Sequence, residues 1–211
     1  AAIGLLLGAT SLAQGQAAAP KPQKYEMKFQ FDQNGTPSMH SYVLKWDGPE
    51  SSLKSIDVEV SETGEVIQTI EIPADVKLVW KDRSEKKNET HDKFIDSLDY
   101  NFDKYSDLRL TKSWPYKVGQ KFYLVWLFDE EKNKYILNEE ISKLQGPVPN
   151  PKTKRIETTD IGGYAGFEYV KRGYSINPKG KLKVQSKVTQ TISDRSRLTF
   201  KRDVRVRIAG E

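Results

Sequence analysis

Phe122-Tyr123-Leu124-Val125-Trp126-Leu127-Phe128 is apolar at every position. A strand covered by protein on both sides reads this way, whereas a strand with one solvated face alternates. Asp129-Glu130-Glu131-Lys132-Asn133 then turns the chain back into Lys134-Tyr135-Ile136-Leu137. After it comes the one convincing helix, a turn or two over residues 138–144, capped by Asn138 and closed by Gly146 and Pro147. The stretch from Gly146 to Lys152 carries three prolines and reads as a connection inside one domain, because strand patterning resumes directly after it.

Around that central strand the alternation is of period two. Tyr25, Met27, Phe29 and Phe31 alternate with Glu26, Lys28 and Gln30, which puts the aromatics on one face. Ile56, Val58 and Val60 alternate with Asp57 and Glu59, and Ser61-Glu62-Thr63-Gly64 predicts a hairpin into residues 66–72, which Pro73 ends. Leu182, Val184 and Val188 share one parity, as do Phe200, Val204, Val206 and Ile208, with Ser193-Asp194-Arg195-Ser196 as the turn between the two strands. About a dozen short strands with tight turns predict an all-β domain, a sandwich, a barrel or a small propeller. Trp46, Trp80 and Trp114 are evenly spaced, a weak hint of blades, although the residues around them do not match.

The chain has 211 residues, a net charge of +5, mixed acidic and basic residues and no cysteine. This is room for one sizeable domain without a disulfide framework. Residues 1–19 contain no charge, include the apolar run Ile3 to Ala9, and offer Ser11-Leu12-Ala13 as a small-x-small cleavage signal; they read as part of a signal peptide. That run is short for a membrane span. Residues 20–23 read as a linker and 24–211 as the all-β domain, exported to the periplasm or secreted. Nucleic acid is not an expected partner of such a domain.

The sharpest chemical signal is Asp99-Tyr100-Asn101-Phe102-Asp103-Lys104-Tyr105-Ser106-Asp107. Asp99, Asn101, Asp103 and Asp107 place side-chain oxygens at loop positions one, three, five and nine, and Tyr105 at position seven offers its carbonyl. This is the ligand order of an EF-hand-type calcium loop. Three carboxylates within nine residues also repel one another unless a cation lies between them. Two positions depart from the full pattern: Lys104 stands where glycine is usual, and Leu110 where the bidentate Glu would be. The flanks read as strands rather than helices, and Asp92 or Asp96 is a candidate for a further ligand. The expected affinity is weak, about 0.1–1 mM as in extracellular modules. The alternative is an acidic surface turn without a metal.

A second signal is Gly162-Gly163-Tyr164-Ala165-Gly166, a glycine-rich turn around one tyrosine. Such a turn can hold Tyr164 outward as a rigid interface anchor, or fold it back onto a hairpin. Among weaker features, Arg205, Arg207 and Lys201 form a basic stripe, read either as an anionic-partner patch or as a guarded edge strand. His40 and His91 are the only histidines, and neither a Gly-x-Ser-x-Gly elbow nor a His-Glu-x-x-His site is present, which points away from an enzyme. Carboxylate-pair chemistry stays open.

Taken together, the loop Asp99–Leu110 preceded by Phe94-Ile95-Asp96-Ser97, the strand Leu124–Asp129, the segment Asn138–Leu144 and the Gly162–Gly166 turn occur in an order that resembles a family of bacterial periplasmic proteins. Its members include lysozyme-inhibitor-like immunity proteins acting against muramidase effectors of a type IV killing system. The resemblance spans residues 65–175. It implies a β-propeller-like fold with a calcium ion, and a protruding tyrosine that enters the target's cleft. Carried onto this sequence, Tyr164 is that tyrosine, flanked by Gly163 and Gly166, with Lys171 and Arg172 nearby. Lipid-anchored members have a cysteine that this sequence lacks. A calcium-stabilised envelope module that binds peptidoglycan, with Trp46 or Trp114 stacked on sugar, is the alternative function.

Overall fold

The computed structural model describes residues 24–33, 36–79, 94–112, 121–162, 166–177, 179–194 and 199–206. These form thirteen strands and one short helix in three antiparallel sheets. The first sheet is the meander β1 (Tyr25–Gln33), β2 (Thr36–Trp46), β3 (Leu53–Val60) and β4 (Val66–Glu71). The second is β5 (Ile95–Leu98), β6 (Asp107–Thr111), β7 (Tyr123–Asp129) and β8 (Lys134–Leu137). Helix α1 (Glu139–Ser142) leads into the third, in the order β13 (Thr199–Val206), β12 (Leu182–Asp194), β11 (Tyr169–Ile176), β10 (Arg155–Ile161) and β9 (Val148–Asn150). The all-β expectation holds. The first two sheets pack face to face in a sandwich-like manner, and a propeller ring is not shown.

Strand β7 organises the packing. Leu124, Trp126 and Phe128 face a core shared with Tyr42, Leu44, Ile56 and Val58 of the first sheet. Tyr123 and Val125 point the other way, into a second cluster with Tyr100, Ile141 and Ile156. From Tyr123 to Phe128 the apolar run is therefore a strand with two buried faces, each belonging to a different core, whereas Phe122 precedes the strand and is exposed. In β1 the burial alternates residue by residue, and Tyr25, Met27, Phe29 and Phe31 pack against the first core.

Trp46 is buried, and its indole Nε1 donates to the Leu78 carbonyl at 2.7 Å. A tryptophan held this way is not a sugar-stacking platform; Trp80 and Trp114 lie outside the described residues. The shared parity expected of Leu182, Val184 and Val188 is broken by a bulge, since Tyr174 pairs with Val184 while Gly173 pairs with Ser186. One extra residue in β12 switches faces. Leu182, which packs against the second core, and Val184, which is exposed, thus lie on the face opposite to Val188.

The junction between the second and third sheets is made by α1. Asn138 caps it by accepting from the Ile141 amide at 2.9 Å, and the Asn138 amide nitrogen donates to the Gly180 carbonyl at 2.9 Å. Glu140 accepts from the Leu182 amide at 2.7 Å and pairs with Lys181 at 2.9 Å. Gly180 has φ +75°, and a Cβ there would come within 2.3 Å of Asn138 Nδ2. Asn138 cannot retreat without giving up its cap.

Gly64 has a similar φ, +72°, with nothing within 4 Å of a built Cβ. Gly64→Ala therefore carries only the left-handed backbone cost, about 1 kcal/mol. Gly180→Ala is expected to cost about 2–4 kcal/mol, adding loss of the cap to the same backbone term. Urea unfolding of the two variants separates these contributions, and equal costs would show that the Asn138–Gly180 contact contributes nothing.

Candidate calcium loop

The loop connects two paired strands, as its flanks predict: Leu98 lies opposite Asp107, and Ile95 opposite Leu110. Within it, side-chain oxygens accept from amides further along the chain. Asp99 Oδ2 accepts from Lys104 N at 3.0 Å, Asn101 Oδ1 from Asp103 N at 3.3 Å, and Asp103 Oδ1 from Tyr105 N at 2.8 Å. Asn101 Nδ2 also donates to Asp103 Oδ2 at 2.6 Å. Phe102 and Lys104 adopt left-handed backbone, at φ 62° and 80°. The sharp bend that glycine makes at the sixth position of an EF-hand loop is thus made here by a lysine, at a conformational cost of about 1 kcal/mol.

Asp107 has a distinct place. It is fully buried, and its two oxygens accept from Tyr100 N at 2.7 Å and Phe128 N at 2.9 Å. One carboxylate thereby fixes the start of the loop and the far end of β7. Burial pushes its carboxyl up to about 8, against the lowering effect of those two amides, and the charges of Asp103 and Asp99 add to the rise. Burial likewise raises Asp99, opposed by the amides of Lys104, Phe102 and Asp103. Asp99 Oδ1 is buried with no hydrogen-bond partner. A buried carboxylate oxygen in that position calls for a proton or a cation.

The donors here are all oxygens, the chemistry suited to a hard cation. No group of three or more His, Cys, Asp or Glu side chains is arranged to hold a metal among the described residues. A cation at this loop therefore relies also on the Asn101 side chain and the Tyr105 carbonyl. Of the further ligand candidates, Asp96 is paired with Arg109 at 3.0 Å and caps the Ser97 amide, while Asp92 lies outside the described residues. An open depression of about 500 Å³ adjoins the loop, with Asn101, Asp103, Glu130, Ile136 and Lys179 on its walls.

Support from behind was not visible in the sequence. The Tyr135 hydroxyl donates to the Ser106 carbonyl at 3.2 Å and lies 2.8 Å from the Tyr42 hydroxyl and 3.3 Å from His40 Nδ1. With the single Tyr135 proton donated to the Ser106 carbonyl, its oxygen is free to accept from the Tyr42 hydroxyl and from an Nδ1-protonated His40. The loop is in this way tied to the first sheet. Only the register of β8 against β7 brings Tyr135 there, and strand patterning alone carries no such signal.

Gly163 and Tyr164 lie outside the described residues. Their frame is described: Ile161 pairs with Tyr169, the Gly162 amide donates to the Glu168 carbonyl at 2.7 Å, and Gly166 has φ +89°. Lys171 and Arg172 do not act together, because neighbours on a strand face opposite ways. Lys171 Nζ lies 5.3 Å from the centre of the Tyr169 ring, whereas Arg172 is hydrogen-bonded to Asp160. His91 is also outside the described residues.

No protein-family model matches the chain, and no curated protein matches it. The fold is similar to that of a Xanthomonas type IV secretion system related protein. The two share 13% identity at a TM-score of 0.57, over 87% of this chain and 90% of the other. At that identity the likeness is one of fold. Among the described residues no helix is long and apolar enough to cross a membrane.

The raised carboxyl of Asp107 sets the sign of its contribution to a pH dependence of stability. Its carboxyl is protonated in both states below about pH 4. From there up to about 8 it is protonated only when folded. The folded state thus holds the extra proton in that window, and its stability falls as pH rises. Urea unfolding in the presence of a chelator is expected to show this decline, with stability greatest at the acidic end for this residue's contribution. A cation at the loop favours the charged carboxylates and flattens the decline. A chelated protein whose stability rises steadily from about pH 5 to 8 would contradict the placement of Asp107.

Proposed function

We propose that this chain is an exported calcium-binding inhibitor of a lysozyme-like muramidase, with a structural ion in the Asp99–Asp107 loop and Tyr164 as the residue that enters the target's cleft. The observation that carries the calcium half is the buried Asp99 Oδ1, left without a partner in a loop of oxygen donors. Asp99, Asn101, Asp103 and the Tyr105 carbonyl would hold the ion directly, and Asp107 supports them from the buried side. The ion supplies charge balance for three carboxylates and locks β5 to β6; it takes no part in bond making. An inhibitor needs a rigid frame behind its contact residue, and this is what a structural ion contributes.

The inhibitory half is supported by the order of motifs around the Gly162–Gly166 turn and by the description of the Xanthomonas neighbour as related to a type IV secretion system. The resemblance on which it draws is to periplasmic immunity proteins, so a periplasmic or secreted location belongs to the same reading. The burial of Trp46 counts against the sugar-binding alternative.

Calcium at about 10 mM is expected to stabilise the protein by about 1.4–2.7 kcal/mol, given an affinity of about 0.1–1 mM. Asp99→Ala combined with Asp103→Ala should remove that gain in a thermal melt. A calcium-independent melt of the unaltered protein rejects the ion. In a muramidase assay on cell-wall substrate, Tyr164→Ala should abolish inhibition with the melting temperature unchanged. Inhibition that survives this substitution rejects the role of Tyr164.

A further inference from the structure

The outermost strand of the third sheet has features that neither the ion nor Tyr164 accounts for. Strand β13 pairs only with β12, so the hydrogen-bonding groups along its other side have no strand partner among the described residues. Every one of its residues is exposed. Phe200, Val204 and Val206 lie on one face, 41%, 55% and 57% exposed, with Arg202 between Phe200 and Val204, while Lys201, Asp203 and Arg205 lie on the other.

The register adds a second, independent feature. Arg172 of β11 lies opposite Lys187 of β12, and Lys187 lies opposite Arg205 of β13. Three cations therefore stand in one row across three strands, an arrangement that costs stability in an isolated sheet. Asp160 relieves Arg172, and Asp203 relieves Arg205 at 3.2 Å, but Lys187, between them, has no ion pair among the described residues. Lys201 and Arg202 add to the positive potential of the same edge.

We propose that β13 is a docking edge that adds an extended segment of a protein partner, with the partner's acidic residues continuing the Arg172–Lys187–Arg205 row and its apolar residues continuing the Phe200–Val204–Val206 face. Strand addition supplies main-chain bonds for affinity, and the alternating side chains supply specificity. A second copy of the chain does not suit this edge. Strand β13 carries three cations, Lys201, Arg202 and Arg205, against one anion, Asp203, so two such strands repel. A bare polyanion would satisfy the cation row but would leave both the ladder and the apolar face unused. The inference is independent of the calcium and muramidase readings.

The probe is a fluorescein-labelled peptide of about eight residues alternating Val and Glu, titrated with the full chain and followed by polarisation. Saturable binding below about 1 mM is expected, weakening as salt rises from about 50 to 500 mM. Lys187→Glu combined with Arg205→Glu should weaken it about tenfold or more, and Lys187→Gln by less. Urea midpoints no lower than that of the unaltered protein establish that folding is not the cause, since relief of the cation row can only raise them. A peptide with alternate backbone amides N-methylated, or with Glu replaced by Lys, should not bind. The proposal is overturned by absence of saturation, by equal binding of the methylated peptide (which marks a simple polyanion patch), or by sedimentation showing a dimer in which β13 amides are protected from exchange.

Discussion

A strand that is apolar on both faces has to be covered twice, and β7 sets that requirement for the whole domain. Its Leu124, Trp126 and Phe128 need the first sheet, while Tyr123 and Val125 need the cluster around Ile141 and Ile156. Each of these side chains is worth about 1.5–3 kcal/mol when fully buried, so exposing either face would remove much of the domain's margin. The first sheet and the region that carries α1 and the third sheet are held on opposite sides of one strand for this reason. Any movement of β7 is felt in both cores.

The acidic loop is built into that arrangement rather than hung on its surface. Asp107 accepts an amide from the loop and another from β7, and the Tyr135 hydroxyl links the Ser106 carbonyl to Tyr42 and His40 on the first sheet. A carboxylate buried between two amides is well hydrogen-bonded yet remains costly to ionise, with Asp99 and Asp103 close by to increase the cost. A divalent cation resolves the conflict by favouring all three charged forms together. The proposed ion thus has a structural reason that goes beyond ligand spacing, since it stabilises the joint at which the loop, the central strand and the first sheet meet.

Much of this was legible residue by residue. The alternation from Tyr25 to Phe31, the two-sided apolarity of Phe122–Phe128, the Asn138 cap and the strands flanking the acidic loop are local patterns, and the fold follows them. What stayed hidden depends on pairing across the sheet. The bulge in β12 reverses the parity of Leu182 and Val184 without any mark in the sequence beyond ordinary strand residues. Trp46 reads as a candidate for sugar stacking until its burial and the bond from its indole nitrogen to the Leu78 carbonyl are seen. The spacing that makes Asp107 a candidate ligand identifies its oxygens but not the amides of Tyr100 and Phe128 that they meet. The row Arg172–Lys187–Arg205 exists only in the register of three strands.

The joint between the loop and β7 is where a bound ion would act, and amide hydrogen exchange measured with calcium and with a chelator tests it most directly. Calcium is expected to slow exchange across residues 100–107 and at Phe128, whose amide meets the same carboxylate, while leaving the exposed strand β13 unchanged. Identical exchange at the loop and at Phe128 under saturating calcium would contradict it, and would leave the Asp99–Asp107 segment an acidic turn held by its own hydrogen bonds.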